Sequence, residues 1–127
     1  MLKKSFVALL VVGSMTAALA QAPAFKRTTL QTVELSIPGR EAVTAKAELP
    51  AGVASGRHTH PGEELGYVLE GTIAMEIEGQ TKTLKAGEAF AIPSGRVHNA
   101  TNTGTGQATI VSTYIVEKGK PLATPVK

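Results

Sequence analysis

The chain contains three histidines, and each stands beside a Pro/Gly turn. His58 and His60 are one residue apart, and Pro61-Gly62 and the adjacent carboxylates Glu63 and Glu64 follow at once. On a strand, positions i and i+2 share a face, so both imidazoles leave the same side of the chain. Two neutral imidazoles side by side suit a borderline divalent metal, and the Pro61-Gly62 turn lets a carboxylate come back to the same centre. A His-x-His pair by itself fits an exposed or merely hydrogen-bonded pair equally well. The third histidine, His98, follows the turn Pro93-Ser94-Gly95 and opens the next expected strand, in a block running from Gly87 to Asn102. With all three histidines inside two glycine-anchored blocks, a shared metal site is favoured over chance. Glu63 and Glu64 face opposite ways along a strand, so only one of them can join it.

Other residues near these blocks carry less. Gly66 shares the face of Glu64, and its missing side chain is expected to leave room beside the metal. Tyr67 falls on the opposite face and is expected to pack. Arg57 adjoins His58 and Arg96 stands two residues before His98, and both are expected on solvated surface. Met75 and Phe90 are expected as apolar wall. Asn99-Ala100-Thr101 fits a glycosylation acceptor, a reading outweighed by the bacterial style of the leader described below. The sequence has no Ser-His-Asp arrangement and no phosphate loop, and no further acid or base is evident beside these residues.

The elements that must position this chemistry read as strands. Val33, Leu35 and Ile37 alternate with Glu34 and Ser36 ahead of Pro38-Gly39, and Val43, Ala45, Ala47 and Leu49 alternate with Thr44, Lys46 and Glu48 ahead of Pro50. Ile73, Met75 and Ile77 repeat the pattern before Gly79. Each run predicts a half-buried strand with one face on a core. From Ala108 to Val116 both faces are substantially apolar, which predicts a central strand or one covered by a partner. No segment after residue 20 carries a helical period, and many short strands at close spacing predict an all-β sandwich or barrel.

Composition sets the limits. At 127 residues the chain suits one domain, and with 18% charged and 43% hydrophobic residues it is neither a disordered tail nor a multi-span membrane protein. The absence of cysteine removes disulfides, thiolate metal sites and lipid attachment to an N-terminal Cys. With no Trp, three Phe and two Tyr, the core must be built mainly of aliphatic side chains. Residues 1–20 open with Lys3-Lys4, continue as an uncharged apolar run and end in Ala18-Leu19-Ala20, the make-up of a signal peptide cut after Ala20. Gly13, Ser14 and Thr16 interrupt that run, which argues against a stable membrane anchor. Loss of Lys3 and Lys4 lowers the basic count from 13 to 11 against 10 acids, so nucleic-acid binding has no electrostatic support. The expected organisation is a leader over 1–20, a flexible lead-in over 21–30, a barrel over 31–117 and a flexible tail over 118–127, in a protein that is periplasmic or secreted.

The two blocks together resemble the two signature motifs of the cupin superfamily. The first is Gly52-x5-His58-x-His60-x3-Glu64-x6-Gly71, the second is Gly87-x5-Pro93-x-Gly95-x2-His98-x3-Asn102, and the fifteen residues Thr72 to Ala86 separate them. The resemblance implies a double-stranded β-helix, or jelly roll, with His58, His60, Glu64 and His98 as metal ligands inside the barrel. It also selects Glu64 over Glu63. Three imidazoles and a carboxylate accept Mn, Fe, Ni, Cu, Co or Zn to differing degrees and leave positions for water or substrate.

Fold and metal do not choose among the activities such a site serves across the superfamily. The leading expectation is a small metal-dependent enzyme, a dioxygenase or a lyase/isomerase, acting on a small molecule that chelates through oxygen, with Glu64 as the base. The alternatives are a non-catalytic binder of a sugar, an organic acid or the metal itself, and a barrel whose metal serves stability alone. Cupins of this size commonly pair through outer strands. A homodimer is therefore expected through the strand around Val33 to Ile37 and the Ala108 to Val116 strand, the other outcome being a monomer whose Lys120 to Lys127 tail covers the sheet.

Overall fold

The computed structural model describes Ala22 and residues 24–127; the leader expected over 1–20 lies outside the described residues. Among the described residues ten strands follow one another: β1 (Lys26–Glu34), β2 (Arg40–Leu49), β3 (His58–Thr59), β4 (Gly62–Glu70), β5 (Thr72–Ile77), β6 (Gln80–Lys85), β7 (Ala89–Ile92), β8 (His98–Asn102), β9 (Ala108–Glu117) and β10 (Thr124–Pro125). Among the described residues there is no helix.

The strands form two five-stranded antiparallel sheets, ordered β1-β2-β9-β4-β7 and β10-β3-β8-β5-β6, which is the all-β double-stranded β-helix. Period-two patterning decides which face of each strand turns inward. In β2 the small and aliphatic residues Val43, Ala45, Ala47 and Leu49 are all buried. In β4 Gly62, Glu64, Gly66 and Val68 are buried while Glu63, Leu65, Tyr67 and Leu69 are exposed. The two-sided strand β9 lies at the centre of its sheet, between β2 and β4. Inward residues of both sheets form one apolar cluster, including Leu49, Val68, Ile73, Leu84, Ile92 and Ile110, and a smaller one of Val43, Ala45, Tyr114 and Val116. Burying each large aliphatic side chain contributes about 1.5–3 kcal/mol.

Two backbone constraints shape the chain here, the first between the sheets and the second within one of them. Gly71 makes the passage from β4 to β5 at φ +82°, and a Cβ there would stand 2.7 Å from the Gln107 carbonyl oxygen, so only glycine serves. Glu78 and Gly79 turn β5 into β6 with both φ positive, 47° and 83°, as a two-residue hairpin requires.

Three expectations change at the ends of the barrel. The half-buried strand expected over Val33 to Ile37 is not there: β1 begins at Lys26 and stops at Glu34, and Val33 and Ile37 are exposed. β1 is an edge strand paired only with β2, and a bulge at Leu30 sets its register so that Val33 opposes Ala42 on the outer face. The lead-in expected over 21–30 is therefore strand from Lys26 onward. The tail expected to be loose over 118–127 carries β10, which pairs with β3, while Leu122 packs on the smaller apolar cluster. A single apolar residue just after Pro121 gives no periodic signal, which is why the sequence did not show this docking.

Candidate metal centre

The barrel's two sheets supply different halves of one polar cluster. From the second sheet, β3 and β8 present His58 and His98 as direct cross-strand partners, and His60 follows just past the end of β3. From the first, β4 presents Glu64 opposite Tyr114 of β9, with Ser112 two residues earlier on the same inward face. His58, His60, Glu64 and His98 are all buried, and so are Ser112 and Tyr114. The imidazole centroids lie 4.2 to 4.9 Å apart, and the three rings offer nitrogen atoms within 4.8 Å of one another. Among the expected site residues, the structure thus brings all four together, while Glu63 stays exposed on the other face of β4.

Each imidazole is fixed by the backbone. Nδ1 of His58 lies 2.7 Å from the Gly56 carbonyl, Nδ1 of His60 2.6 Å from the Leu122 carbonyl, and Nδ1 of His98 2.9 Å from the Arg96 carbonyl. A carbonyl only accepts, so each Nδ1 carries the hydrogen and each neutral ring turns an Nε2 lone pair into the site. Glu64 is held in the same way: Ser112 donates to Oε1 at 2.7 Å, leaving Oε2 to face His60 Nε2 at 3.1 Å and His98 Nε2 at 3.2 Å. Neutral imidazoles cannot donate from those atoms, and the buried Nε2 of His60 and of His98 have no hydrogen-bond partner among the described residues. Lone pair facing lone pair at about 3 Å is repulsive unless a cation stands among them. With bond lengths of about 2.0–2.2 Å, neighbouring ligands of one metal ion approach to about this separation. The donor set fits a divalent metal, and three buried histidines can hold one; only a proton on a ring offers another remedy, at the cost of burying an imidazolium.

The electrostatics of His58 and Glu64 show what burial and close packing do in this cluster. Burial, and then the neighbouring rings of His98 and His60 together with Arg27, outweigh the Gly56 hydrogen bond and lower the His58 pKa to about 4, so this ring stays neutral near pH 7. Burial alone would raise Glu64, but contacts with His60 and His98 and the Ser112 hydroxyl hold its carboxyl well below the ordinary carboxylate range. The two imidazole contacts have that effect only with a positive charge at Nε2, whether a proton or a metal. Burial and the Glu64 charge push Tyr114 up to about 12, against the opposing pull of Arg27 and Ser112.

Several groups at the site carry no motif. Ser112 and Tyr114 are polar residues on the inward face of β9, and alternation along Ala108, Ile110, Ser112, Tyr114 and Val116 is the signal that could have found them. Tyr114, its ring 4.6 Å from that of His60, and Arg27 also mean that Glu64 is not alone as an ionisable group beside the histidines. A cavity of about 20 Å3 adjoins the cluster, lined by His58, Glu64, His98, Arg27 and Tyr114 among apolar walls. Gly66 does not leave room beside the metal: a Cβ there would fall 2.1 Å from the Phe90 ring, which already fills the space. Met75 does form apolar wall, and Arg57 and Arg96 are exposed, with Arg96 paired to Glu78 at 2.6 Å. A larger cleft, about 630 Å3, opens near strands β6 and β7 and shares only Met75 with the cavity beside the histidines.

Comparison with known proteins agrees with this architecture. Residues 45–114, more than half of the chain, match the Cupin domain family. The chain is 42% identical over 65 residues to the HTH-type transcriptional regulator PuuR of Escherichia coli, covering 51% of this chain and 35% of that protein. It is 38% identical over 61 residues to the oxalate-binding protein of Thermotoga maritima, covering 47% of this chain and 50% of that one. The match thus takes in half or less of these curated relatives' own length. A solved Klebsiella pneumoniae protein with a double-stranded β-helix domain superposes at a TM-score of 0.67 with 21% identity, covering 84% of this chain and 90% of that chain. Strand order, paired motifs and family match lead to one assignment: the chain belongs to the cupin family.

Proposed function

We propose that this cupin holds a divalent transition metal on His58, His60, Glu64 and His98 and uses it on a small molecule that chelates through oxygen. The observation that carries the reading is the set of committed Nδ1 atoms, which leaves the Nε2 lone pairs of His60 and His98 facing Oε2 of Glu64 across about 3 Å. A bound metal supplies Lewis-acid polarisation of an oxygen ligand and, if redox-active, chemistry with O2. The protein's own part is to fix the imidazole tautomers through backbone carbonyls, to hold Glu64 as an anion through Ser112, and to keep the cavity small and mostly apolar. The activity proposed is that of a dioxygenase or a lyase/isomerase, with Glu64 taking a proton from the substrate. Its lowered pKa suits a ligand better than a base, so the proton-accepting role requires Glu64 to leave the cation first.

A second reading, reversible binding without turnover, draws support from the tightness of the cavity and from the printed name of the Thermotoga maritima relative. Export with cleavage after Ala20 and pairing of two copies across the outer face of the first sheet, where Val33, Leu65 and Tyr67 are exposed, complete the proposal. Elemental analysis of protein purified from its own compartment tests the metal: about one transition-metal ion per chain is expected, and a metal-free, fully folded protein that takes up none on titration overturns the reading. A panel of oxalate, diols, hydroxy acids, flavonols and uronates, with and without O2, then separates turnover from binding. Intact mass tests the cleavage, and light scattering at micromolar concentration tests the pairing.

A further inference from the structure

Arg27 stands at the histidine cluster without a motif to announce it. It lies on β1 opposite Ala47, whose side chain is buried on the inward face of β2, so the arginine also points inward. Its guanidinium carbon is 5.1 Å from the Phe25 ring centroid and 5.8 Å from that of Tyr114, whose ring in turn lies 4.6 Å from that of His60. The guanidinium lines the same small cavity as His58, Glu64 and His98. Its Nε is shut off from solvent and has no hydrogen-bond partner, and among the described residues no carboxylate pairs with it. Aromatic contact steadies the charge but does not satisfy a buried N–H, which costs about 1–3 kcal/mol when left alone.

From this placement we infer that Arg27 is the anion-recognising group of the cavity, and that the ligand is a small carboxylate held by the guanidinium at one end and by the metal centre at the other. The inference rests on the metal-centre reading above. A guanidinium offers a planar fork of N–H donors that matches a carboxylate and has nothing comparable to offer a neutral diol or sugar hydroxyl. A cavity of about 20 Å3 holds about one water, so even a ligand of few heavy atoms needs its walls to give, and a small acid asks for the least movement. The walls best placed to give are Phe25, just ahead of β1, and Arg27 on β1 at the edge of its sheet. The substrate class is then a two- or three-carbon acid with an oxygen next to the carboxylate.

Calorimetric titration of the metal-loaded protein with glycolate, and separately with ethylene glycol, tests the assignment, with metal content measured before and after. Glycolate is expected to bind saturably and at least tenfold more tightly than ethylene glycol. Arg27→Met is expected to keep its metal and lose at least tenfold in glycolate affinity, and Arg27→Lys to lose less. A metal-loaded Arg27→Met protein that binds glycolate like the wild type overturns the role of Arg27 and leaves the metal centre standing. Wild-type protein that takes up no metal overturns the metal centre and this inference with it. Should Arg27→Met fail to fold, the wild type still decides: the Arg27 Nε–H resonance is expected to shift on glycolate addition, and a resonance unmoved at saturation overturns the proposal.

Discussion

The strand β8 begins and ends on a buried polar side chain, and the two ends have been solved differently. Asn102, 1% exposed, has Nδ2 donating to the carbonyls of Leu49 and Gly106, both at 2.8 Å, and Oδ1 accepting from the Gly104 amide at 2.9 Å. Every strong contact is made inside the chain, and the result is a clamp that closes the loop between β8 and β9. His98, 3% exposed, is satisfied only at Nδ1, and its Nε2 faces a carboxylate oxygen and two other imidazoles. Burying polar atoms without partners is costly, so the Asn102 end reads as structure and the His98 end as a place prepared for something absent from the polypeptide. Both residues belong to the same sequence motif. The difference between them is one of hydrogen-bond closure, and that separates the roles.

The largest effect should come from emptying the open end. The double change His58→Ala, His98→Ala is expected to abolish stoichiometric metal binding while the barrel still folds, because it removes two ligands together with the burial of their polar rings. Elemental analysis and circular dichroism read the two halves of that expectation, and full metal content in the double variant would end the metal-centre reading. Asn102→Ala should do the reverse. It strands the Leu49 carbonyl in the interior and frees the partly buried contacts to the Gly104 amide and the Gly106 carbonyl, which costs about 2–3 kcal/mol in total. Thermal unfolding should shift down by about 10–20 °C for a domain of this size, while metal uptake by the folded fraction stays at one ion per chain. If Asn102→Ala empties the metal site before it unfolds the protein, the two ends of β8 are not separable.

The contrast between these ends also explains what the sequence could show. Spacing brought out the three histidines, because a period of two and two turns bring His58, His60 and His98 forward together, and the resemblance to the cupin motifs chose Glu64 over Glu63. A period of two revealed β2 and β5, since Val43, Ala45, Ala47 and Leu49 have no other regular reading, and β9 showed itself instead by being apolar on both faces. What it could not reveal depends on contacts between segments far apart in the chain. Nothing near His60 shows that its Nδ1 meets the carbonyl of Leu122, sixty-two residues later. Arg27 sits in a stretch of mixed threonines and basic residues whose strand character comes from pairing with β2, so its inward direction follows from register and not from pattern. The space beside Gly66 was misread because a missing side chain says where a neighbour can go, and the neighbour here is Phe90 rather than a ligand.

Acidity offers a gentler probe of the same comparison. His58 has a pKa of about 4 in the folded protein against 6.5 as its ordinary value, so between those pH values the unfolded chain binds a proton that the folded one refuses. The metal-free protein should therefore be steady above about pH 6.5 and lose stability as pH falls from there toward 4. Glu64, also lowered, adds to the loss further down, since its contribution is present above the ordinary carboxylate pKa and fades as pH drops below it. Denaturant unfolding at a series of pH values measures the slope. Asn102→Ala should move the whole curve down without changing its shape, because the amide does not titrate. His58→Ala should flatten it between 6.5 and 4, and an unchanged slope in that variant would assign the acid sensitivity elsewhere.

The smallest expected effect is the one that fixes the register of β4. Glu63 is exposed on the outer face opposite Ile115, and Glu64 is buried opposite Tyr114. Glu63→Gln should leave metal affinity within about twofold and stability within about 0.5 kcal/mol, as surface changes usually do. Glu64→Gln keeps the shape but removes the anion that balances the cation, and should weaken metal binding by at least about tenfold, in the range seen when groups supporting a metal are removed. A slip of one residue in a strand sends every side chain to the other face, so the two variants would exchange behaviour if β4 were paired one residue out of place. In that case Leu65 and Tyr67 would point into the barrel and Gly66 would no longer need Phe90 beside it. Competition of each variant against a chelator of known affinity measures the pair. Weakened metal in Glu63→Gln beside unchanged metal in Glu64→Gln would overturn the register, and with it the placement of Ser112 as the donor that holds the ligand carboxylate.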